Sequence, residues 1–368
     1  MRQRILAIAQ SFLLLVCLLY PVEHSAQTQI EKFVPGATLE GVSYFLPRTA
    51  LRVVVKAEKK VVTPGEFNMY AFKYMRIQDV PVQSSTTWTL KDIKVLPYGI
   101  PDKDKAYSLK LKGRTVAPLV SLSHEGLLLG INAEATEEQL PPIPENKLLQ
   151  KGISQMDIRK YMNVEMLQAG SVAKMAELVA REIYDIRESR DALVRGEADN
   201  TPKDGAQLKL MLENLDEQQR VLASLFVGST EITEVYYTLD VIPSEETDKL
   251  LLFRFSKWTG MVDADDMSGE PFYIGLRKSG TLPEPSVDVK IEEKKGKLQR
   301  AVYYNIPALS KVRIFNAQST LVEYETPIAQ FGHLEVLSNV LFDKMTETQV
   351  LFFQTTGGIK KIKADQRK

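Results

Sequence analysis

Cysteine is almost absent from this chain of 368 residues, and the single one is Cys17, close to the N-terminus. The rest of the chain therefore has no disulfide bond, no thiol nucleophile and no cysteine-ligated metal centre. Disulfides are the usual stabilising element of small exported domains. A chain of this length can bury an adequate apolar core without them, because the buried fraction of the surface rises with size.

An excess of charge of one sign is also lacking, and histidine is scarce. The chain has 47 Lys+Arg, 47 Asp+Glu and 3 His. Proteins that bind nucleic acid usually show a net basic footprint, so the balance predicts no nucleic-acid partner. His124 and His333 stand far apart in sequence, without the His-x-x-x-His spacing of zinc hydrolases. We predict structural roles for both of them.

Catalytic motifs are missing too. The chain has no Gly-x-Ser-x-Gly turn, no phosphate-binding glycine loop with its lysine and no dinucleotide fingerprint. The strongest acidic cluster, residues 263–270, places Met267 where a calcium loop of the EF-hand type has an oxygen ligand. We interpret this cluster as a solvated turn. The sequence thus predicts no catalytic, metal or cofactor-binding residues and no cofactor.

The one long apolar run lies at the N-terminus. Arg2 and Arg4 precede residues 5–20, which are apolar except for Gln10 and Ser11; Pro21 ends the run, and the small residues Ser25 and Ala26 follow. This layout is typical of a secretory signal peptide, so residues 1–26 are predicted to be cleaved and the protein to be exported. No later run approaches the ~20 apolar residues of a transmembrane helix, so no membrane span is predicted after the signal peptide.

Two β-rich portions are predicted, over residues 27–165 and 230–368. Residues 107–112 alternate polar and apolar side chains, which is the pattern of a half-buried strand. Near the C-terminus, two short apolar segments flank the Thr-Thr-Gly-Gly sequence at 355–358, which predicts a terminal β-hairpin.

Between them, residues 166–229 predict a long antiparallel helical hairpin, which makes the fold class α+β. Ser171 is a suitable N-cap for the first helix, and Gly196 is suited to end it. Thr201, followed by a proline, is the predicted N-cap of the second helix, which Gly228 ends. Apolar residues recur at helical spacing in both. The hairpin either packs on the body or projects as an arm that meets a partner.

A short sequence similarity links the two β-rich portions. VSYFLP at residues 42–47 resembles VYYNIP at 302–307, and a Thr-Pro pair with a nearby Phe follows each. One interpretation is a duplicated β unit with the helices inserted between its copies. The other is a chance recurrence of short strand–proline patterns. Duplication predicts that the two motifs occupy equivalent positions in their sheets.

The chain also contains a series of distinctive short motifs. They include IRESR at 186–190, GEAD at 196–199, PKDG at 202–205, LFVG at 225–228, SGEP at 268–271 and AQFG at 329–332. In this order they resemble an uncharacterised family of exported proteins from Bacteroides-type bacteria, over nearly the whole chain after the leader. The resemblance implies a Gram-negative envelope protein, and it implies no catalytic residues.

The function predicted from these patterns is non-enzymatic. We expect a periplasmic or outer-membrane-associated protein that acts as a protein-binding or assembly component, with an envelope protein bound at the helical hairpin. A homo-oligomer formed through the hairpin is a further option. The alternative is a glycan-binding protein or glycan hydrolase whose paired carboxylates are distant in sequence. Trp88 and Trp258 are the only tryptophans available to stack on sugars.

Overall fold

A computed structural model describes residues 36–38, 41–110, 120–199, 202, 204–285, 302–337 and 346–366. The predicted signal peptide, residues 1–26, lies outside these ranges. The four α-helices among the described residues are α1 Gln155–Lys160, α2 Val164–Leu167, α3 Val172–Arg195 and α4 Gly205–Val227. The strands are β1 Gly36–Thr38, β2 Gly41–Thr63, β3 Ser85–Lys110, β4 Val120–Leu122, β5 Leu128–Ile131, β6 Lys147–Gln150, β7 Ser229–Val241, β8 Thr247–Ser256, β9 Gly260–Val262, β10 Glu270–Lys278, β11 Val302–Phe315, β12 Thr320–Leu337, β13 Thr346–Phe352 and β14 Ile359–Gln366.

The described strands form three sheets, and their ladders are antiparallel. The first has the order β1-β2-β7-β6, with β3 also paired to β2. The second has the order β12-β11-β10-β8-β9, and the third has the order β14-β13-β5-β4. Several antiparallel sheets together with α-helices confirm the α+β class.

The three sequence portions are not separate units in space. Strand β2 pairs with β7 along 13 residue pairs, from Leu51 with Val241 to Thr63 with Ser229, and β5 pairs with β13. Pro35–Lys368 forms one compact unit. Strand pairing thus crosses the predicted boundaries of 27–165, 166–229 and 230–368, which stay a prediction. Strand patterns reveal which face is buried, but not which distant strand is the partner.

Apolar side chains collect in three cores. The first lies between the first two sheets and includes Leu51, Val53, Phe272 and Ile314. The second is helical, and the third is formed by the beginnings of β2 and β11 against the third sheet. The long strands β2 and β11 thus run from one β core into the other.

The strands β2 and β11 are paired in a similar but not identical way. The start of β2 pairs with β3 on one side and, at residues 41–43, with the short strand β1 on the other; a register shift occurs at Pro47, and β7 joins from Leu51 onward. Among the described residues, the start of β11 pairs with β12 alone, shifts register at Pro307, and is joined by β10 from Ser310 onward. The Thr-Pro pairs differ, because Thr63 ends β2 whereas Thr326 lies within β12.

The two long helices, α3 with 24 residues and α4 with 23, lie antiparallel and in contact. Ser171 caps α3 by accepting a hydrogen bond from the N–H of Lys174, and Gly196 ends it at φ 72°. The N-cap of α4 is Asp204 and not Thr201, so the predicted start is wrong by three positions. Aspartate caps at least as well as threonine, and it stands immediately before the helix.

Candidate functional site

The two histidines weighed in the sequence lie on different elements. His124 is in the turn between β4 and β5, and its ring Nδ1 lies 2.6 Å from Oε1 of Glu137. His333 is on β12, opposite Ile306, and its buried Nε2 has no partner among the described residues. No group of three or more potential metal-ligating side chains occurs in the described part of the chain.

The contact between His124 and Glu137 shifts the pKa of both side chains. The hydrogen bond and the charge of Glu137 raise the pKa of His124 above its ordinary 6.5. Partial burial raises the pKa of Glu137, but the bonds from the ring and the backbone N–H of His124 outweigh burial and lower it. The raised histidine pKa means that this contact stabilises the fold below about pH 6.5, and the contribution is lost as the pH rises through the raised pKa.

We predict that Glu137→Gln returns the His124 pKa toward 6.5. Glu125→Gln is the matched control, because the Glu125 carboxylate is 4.0 Å from the ring and contributes least to the shift. The measurement is an NMR titration of the histidine ring protons in each protein. Equal His124 pKa values in the two variants would contradict the assignment.

The acidic cluster at 263–270 forms the turn between β9 and β10. Asp266 accepts a bond from the backbone N–H of Ser268, which lowers its pKa. The guanidinium of Arg254 donates to the carbonyls of Ala264 and Gly269. The turn is thus held together by a hydrogen bond within it and by the guanidinium of Arg254.

Polar groups join the hairpin of β2 and β3 to the hairpin of β11 and β12, and Thr49 among them is fully buried. The Gln330 amide accepts from the N–H of Thr49 at 2.9 Å and donates to the carbonyls of Thr49 and Pro243. The Thr49 hydroxyl accepts from the N–H of Ala329 and donates to the Thr355 carbonyl. This network fixes β2 against β12 and against the loop that follows β13.

Asn305 fixes the same loop from the other side. Its Nδ2 donates to the carbonyls of Pro47 at 3.1 Å and Thr356 at 2.9 Å. Gly357 adopts φ 71°, and its Cα faces the Pro47 ring so closely that a Cβ would lie 2.7 Å from Cδ. The side chain of Asn305 is only 1% exposed, and its Oδ1 has no partner among the described residues.

Beside this contact between the two hairpins lies a largely apolar cavity of about 600 Å³, here called the junction cleft. Its walls include three prolines, Pro97, Pro307 and Pro327, and two aromatic residues, Tyr304 and Phe353. Burial raises the pKa of the Tyr304 hydroxyl, and nearby Glu335 adds to the shift. The volume is within the usual range for ligand sites, which are mostly apolar with a few polar groups.

The mouth of the junction cleft carries an aromatic ring and a charge pair. Phe353 lines the cleft, and 44% of its surface is exposed to solvent. The Lys360 ammonium lies 5.7 Å from the centre of the Phe353 ring and 3.9 Å from the Glu138 carboxylate. The mouth of the cleft therefore presents the apolar ring of Phe353 next to one positive charge, on Lys360, and one negative charge, on Glu138.

A second apolar surface lies at the free ends of the long helices. The outer parts of α3 (residues 187–195) and α4 (residues 205–216) are here called the distal arm. Its side chains Val194, Leu210 and Met211 are 61%, 59% and 36% exposed. A cleft of about 520 Å³ opens between the helices there, lined in part by Leu193 and Leu215.

The base of the same helices is buried. The buried residues of α4 all fall between Val221 and Phe226. The N–H of Phe67 donates to the Leu225 carbonyl, and the ring of Phe67 meets Phe226 edge to face at 5.5 Å. The helical pair is anchored at its base, whereas its outer half leaves apolar side chains in solvent.

The tryptophans are placed differently from each other. Trp88 is partly buried against the first β core and lies against the backbone of Gly260. Trp258 is 64% exposed, with the Lys257 ammonium 5.4 Å from its ring centre. One ring, not two, is thus available as an exposed platform.

Among the described helices, none is both long and apolar enough to cross a membrane.

Comparison with known proteins places residues 40–360 within a family model described as a domain of unknown function, DUF4831. No curated protein and no solved structure matches the chain. The family match covers most of the chain, which confirms the predicted relation to an uncharacterised family. It names no activity and no site residues.

Proposed function

The chain belongs to the DUF4831 family, and we propose that it is an exported, non-enzymatic protein of the cell envelope that binds another protein through its distal arm. The observation that carries this proposal is the contrast between the two ends of the helical pair. Leu222 at the base is fully buried, whereas Leu210, on the same helix, is 59% exposed.

Exposed apolar side chains grouped at one end of a pair of helices are typical of a partner surface. Singly exposed apolar residues are common and need no explanation. Here Leu210 and Met211 are adjacent, and the arm also carries Val194 and an apolar cleft between its helices. A partner that covers this group removes it from water, and each large apolar side chain so buried contributes about 1.5–3 kcal/mol before the costs of association.

The charges of the arm favour a different protein over a second copy. Residues 187–216 contain seven acidic and five basic side chains. The ion pairs within the arm include Arg190 with Asp216 at 2.7 Å and Lys209 with Glu213 at 3.8 Å. Two slightly acidic arms repel each other weakly, whereas an apolar patch with basic residues at its rim is complementary. A homo-oligomer through the arm is the competing outcome.

We predict that Leu210→Glu combined with Met211→Glu reduces recovery of the partner about tenfold or more. A C-terminally tagged chain is crosslinked mildly in native envelopes, and co-purified proteins are quantified by mass spectrometry. The control is Met267→Glu, since Met267 is 78% exposed in the turn after β9. Equal recovery from all three proteins would contradict the proposal. Recovery of a second, untagged copy alone would favour the homo-oligomer.

Export is the other half of the proposal. The support is the layout of residues 1–26, with a basic start, an apolar core and small residues before Gln27. Cell fractionation followed by N-terminal sequencing tests it. We expect a periplasmic or outer-membrane-associated protein that begins near Gln27. An intact N-terminus in the cytoplasm would contradict it.

We also propose that the two β hairpins derive from a duplication. The support is that VSYFLP and VYYNIP lie at the starts of β2 and β11. Each of these strands pairs there with the next strand of its hairpin and shifts register at the final proline of the motif. The Thr-Pro pairs do not match and are not part of the proposal.

A further inference from the structure

We infer that residues 140–144, with the sequence LPPIP and here called the proline segment, bind a partner protein that presents a groove lined by aromatic side chains. The inference does not depend on the distal arm, because the two surfaces belong to different parts of the chain. It follows from the stereochemistry of the proline segment, from the bonds that hold it on the protein and from the side chains that it exposes.

The prolines impose one backbone conformation on the proline segment. The rings of Pro141, Pro142 and Pro144 fix φ near about −65°. A residue that precedes a proline is restricted to extended backbone, and this applies to Leu140, Pro141 and Ile143. The segment lies between β5 and β6, outside every described helix and strand, and has no cis peptide bond. These restrictions together define a left-handed polyproline II helix, which has no internal hydrogen bonds.

The exposure of the side chains follows the period of that helix. A polyproline II helix has about three residues per turn, so residues three positions apart share one edge. Leu140 and Ile143 are 49% and 63% exposed. Pro141 and Pro144 are half-buried, and Pro142 is exposed. One edge therefore presents two aliphatic side chains to solvent, roughly 9 Å apart along the helix axis, while another edge faces the protein.

The proline segment is ordered before any partner arrives. The Arg52 guanidinium donates to the Pro141 carbonyl at 2.7 Å. Just before the segment, the N–H of Glu138 donates to the side-chain oxygen of Gln354 at 2.7 Å. Just after it, the side chain of Asn146 accepts from a backbone N–H of β7 at 2.9 Å. A ligand segment held in its bound conformation loses little entropy on binding.

This geometry favours an aromatic-lined groove as the partner site. Such grooves recognise proline-rich segments because the polyproline II helix is preformed and its carbonyls are free. Aromatic rings pack on proline and aliphatic side chains, while Tyr and Trp also donate to the carbonyls. Addition to the edge of a partner sheet is disfavoured, because three of the five residues lack an N–H. Glu145, exposed next to the last proline and without an ion pair among the described residues, is complementary to a basic residue at the groove rim.

Site-specific photo-crosslinking from the proline segment tests the inference. A photoreactive amino acid replaces Ile143 in the full chain, which is expressed in its native cells, and mass spectrometry maps the attachment site on the product. We expect one discrete protein, joined next to aromatic residues. A synthetic peptide of residues 137–147, added to lysed envelopes before irradiation, should abolish the product. The same peptide with alanine in place of its three prolines should not do so at that concentration.

A matched pair of substitutions in the crosslinking chain gives the second readout. Leu140→Asp should lower the yield about tenfold or more, because Leu140 shares its edge with position 143. Leu149→Asp is the control, since Leu149 lies on β6 with the same side chain and 48% exposure, and it should leave the yield unchanged. Thermal melts should match the wild type for both variants.

Several results would overturn the inference. They are no product from position 143, equal competition by the two peptides, and equal loss with Leu140→Asp and Leu149→Asp. Attachment to a partner surface without aromatic residues would do so as well. A product that contains a second copy of this chain, or lipid in place of protein, would assign the proline segment to that other contact and also overturn the inference.

Discussion

Replacing Gly332 by alanine is expected to destabilise the protein by about 4 kcal/mol or more. A Cβ at this position would lie 1.7 Å from the Ile306 carbonyl oxygen and 2.9 Å from Cα of Pro307. Both are backbone atoms, and the register of β11 against β12 shifts just there, between Ile306 and Ala308. A new methyl group can be accommodated only if β11 and β12 separate at this point.

The control for Gly332→Ala is Gly170→Ala. A Cβ on Gly170 meets no described atom within 4 Å, and this residue lies just before the N-cap of α3. Urea denaturation followed by circular dichroism should place Gly170→Ala within about 1 kcal/mol of the wild type. The Gly332 variant should be unfolded or strongly shifted. Coincident curves for the two variants would show that β11 and β12 are not in close contact at Gly332.

Truncating Leu222 to alanine should cost about 2–5 kcal/mol, whereas the same change at Leu210 should cost less than about 0.5 kcal/mol. Both residues lie on α4. Leu222 is fully buried in the helical core, and Leu210 is 59% exposed on the distal arm. The substitution removes the same atoms in both cases, so the difference reports only on burial.

Equilibrium unfolding in urea measures both variants under one condition. The predicted result is a large shift of the midpoint for Leu222→Ala and almost none for Leu210→Ala. A large loss at Leu210 would mean that the outer half of the helices is needed for folding. In that case the exposed leucine would no longer be available for a partner.

The helix ends were predictable from sequence because their signals are local. Ser171 caps α3 through a bond to a backbone N–H three residues away, and Gly196 and Gly228 end the two helices with positive φ. The one wrong end, Thr201 in place of Asp204, arose because two good capping residues stand three positions apart. Local sequence patterns alone do not rank two good capping residues that stand this close together.

The sheets were only partly predictable, because their pairing is not local. Alternation identified strands, but it could not indicate that β2 pairs with β7 across some 180 residues. Pro47 lies inside β2, where the register shift accommodates its missing N–H.

The junction cleft could not be predicted at all. Its walls come from β3, β11, β12 and the loop before β14, which are distant in sequence and meet only in the folded chain. The sequence signals nearest to it were the VYYNIP motif and the Thr-Thr-Gly-Gly turn. Each predicted a strand or a turn, and neither indicated a cavity. Buried polar residues such as Thr49 and Asn305 look ordinary until their partners, about 280 and 260 residues away, are known.

The measurement that tests the account most directly is site-specific photo-crosslinking from the distal arm. A photoreactive amino acid is placed at position 210 of the full chain, and this variant is expressed in its native cells. A second variant of the same chain carries the photoreactive amino acid at position 267 and serves as the control. The account predicts one discrete crosslinked protein from position 210 and none from position 267. No crosslink from position 210, or the same products from both positions, would contradict the claim that the arm binds a partner.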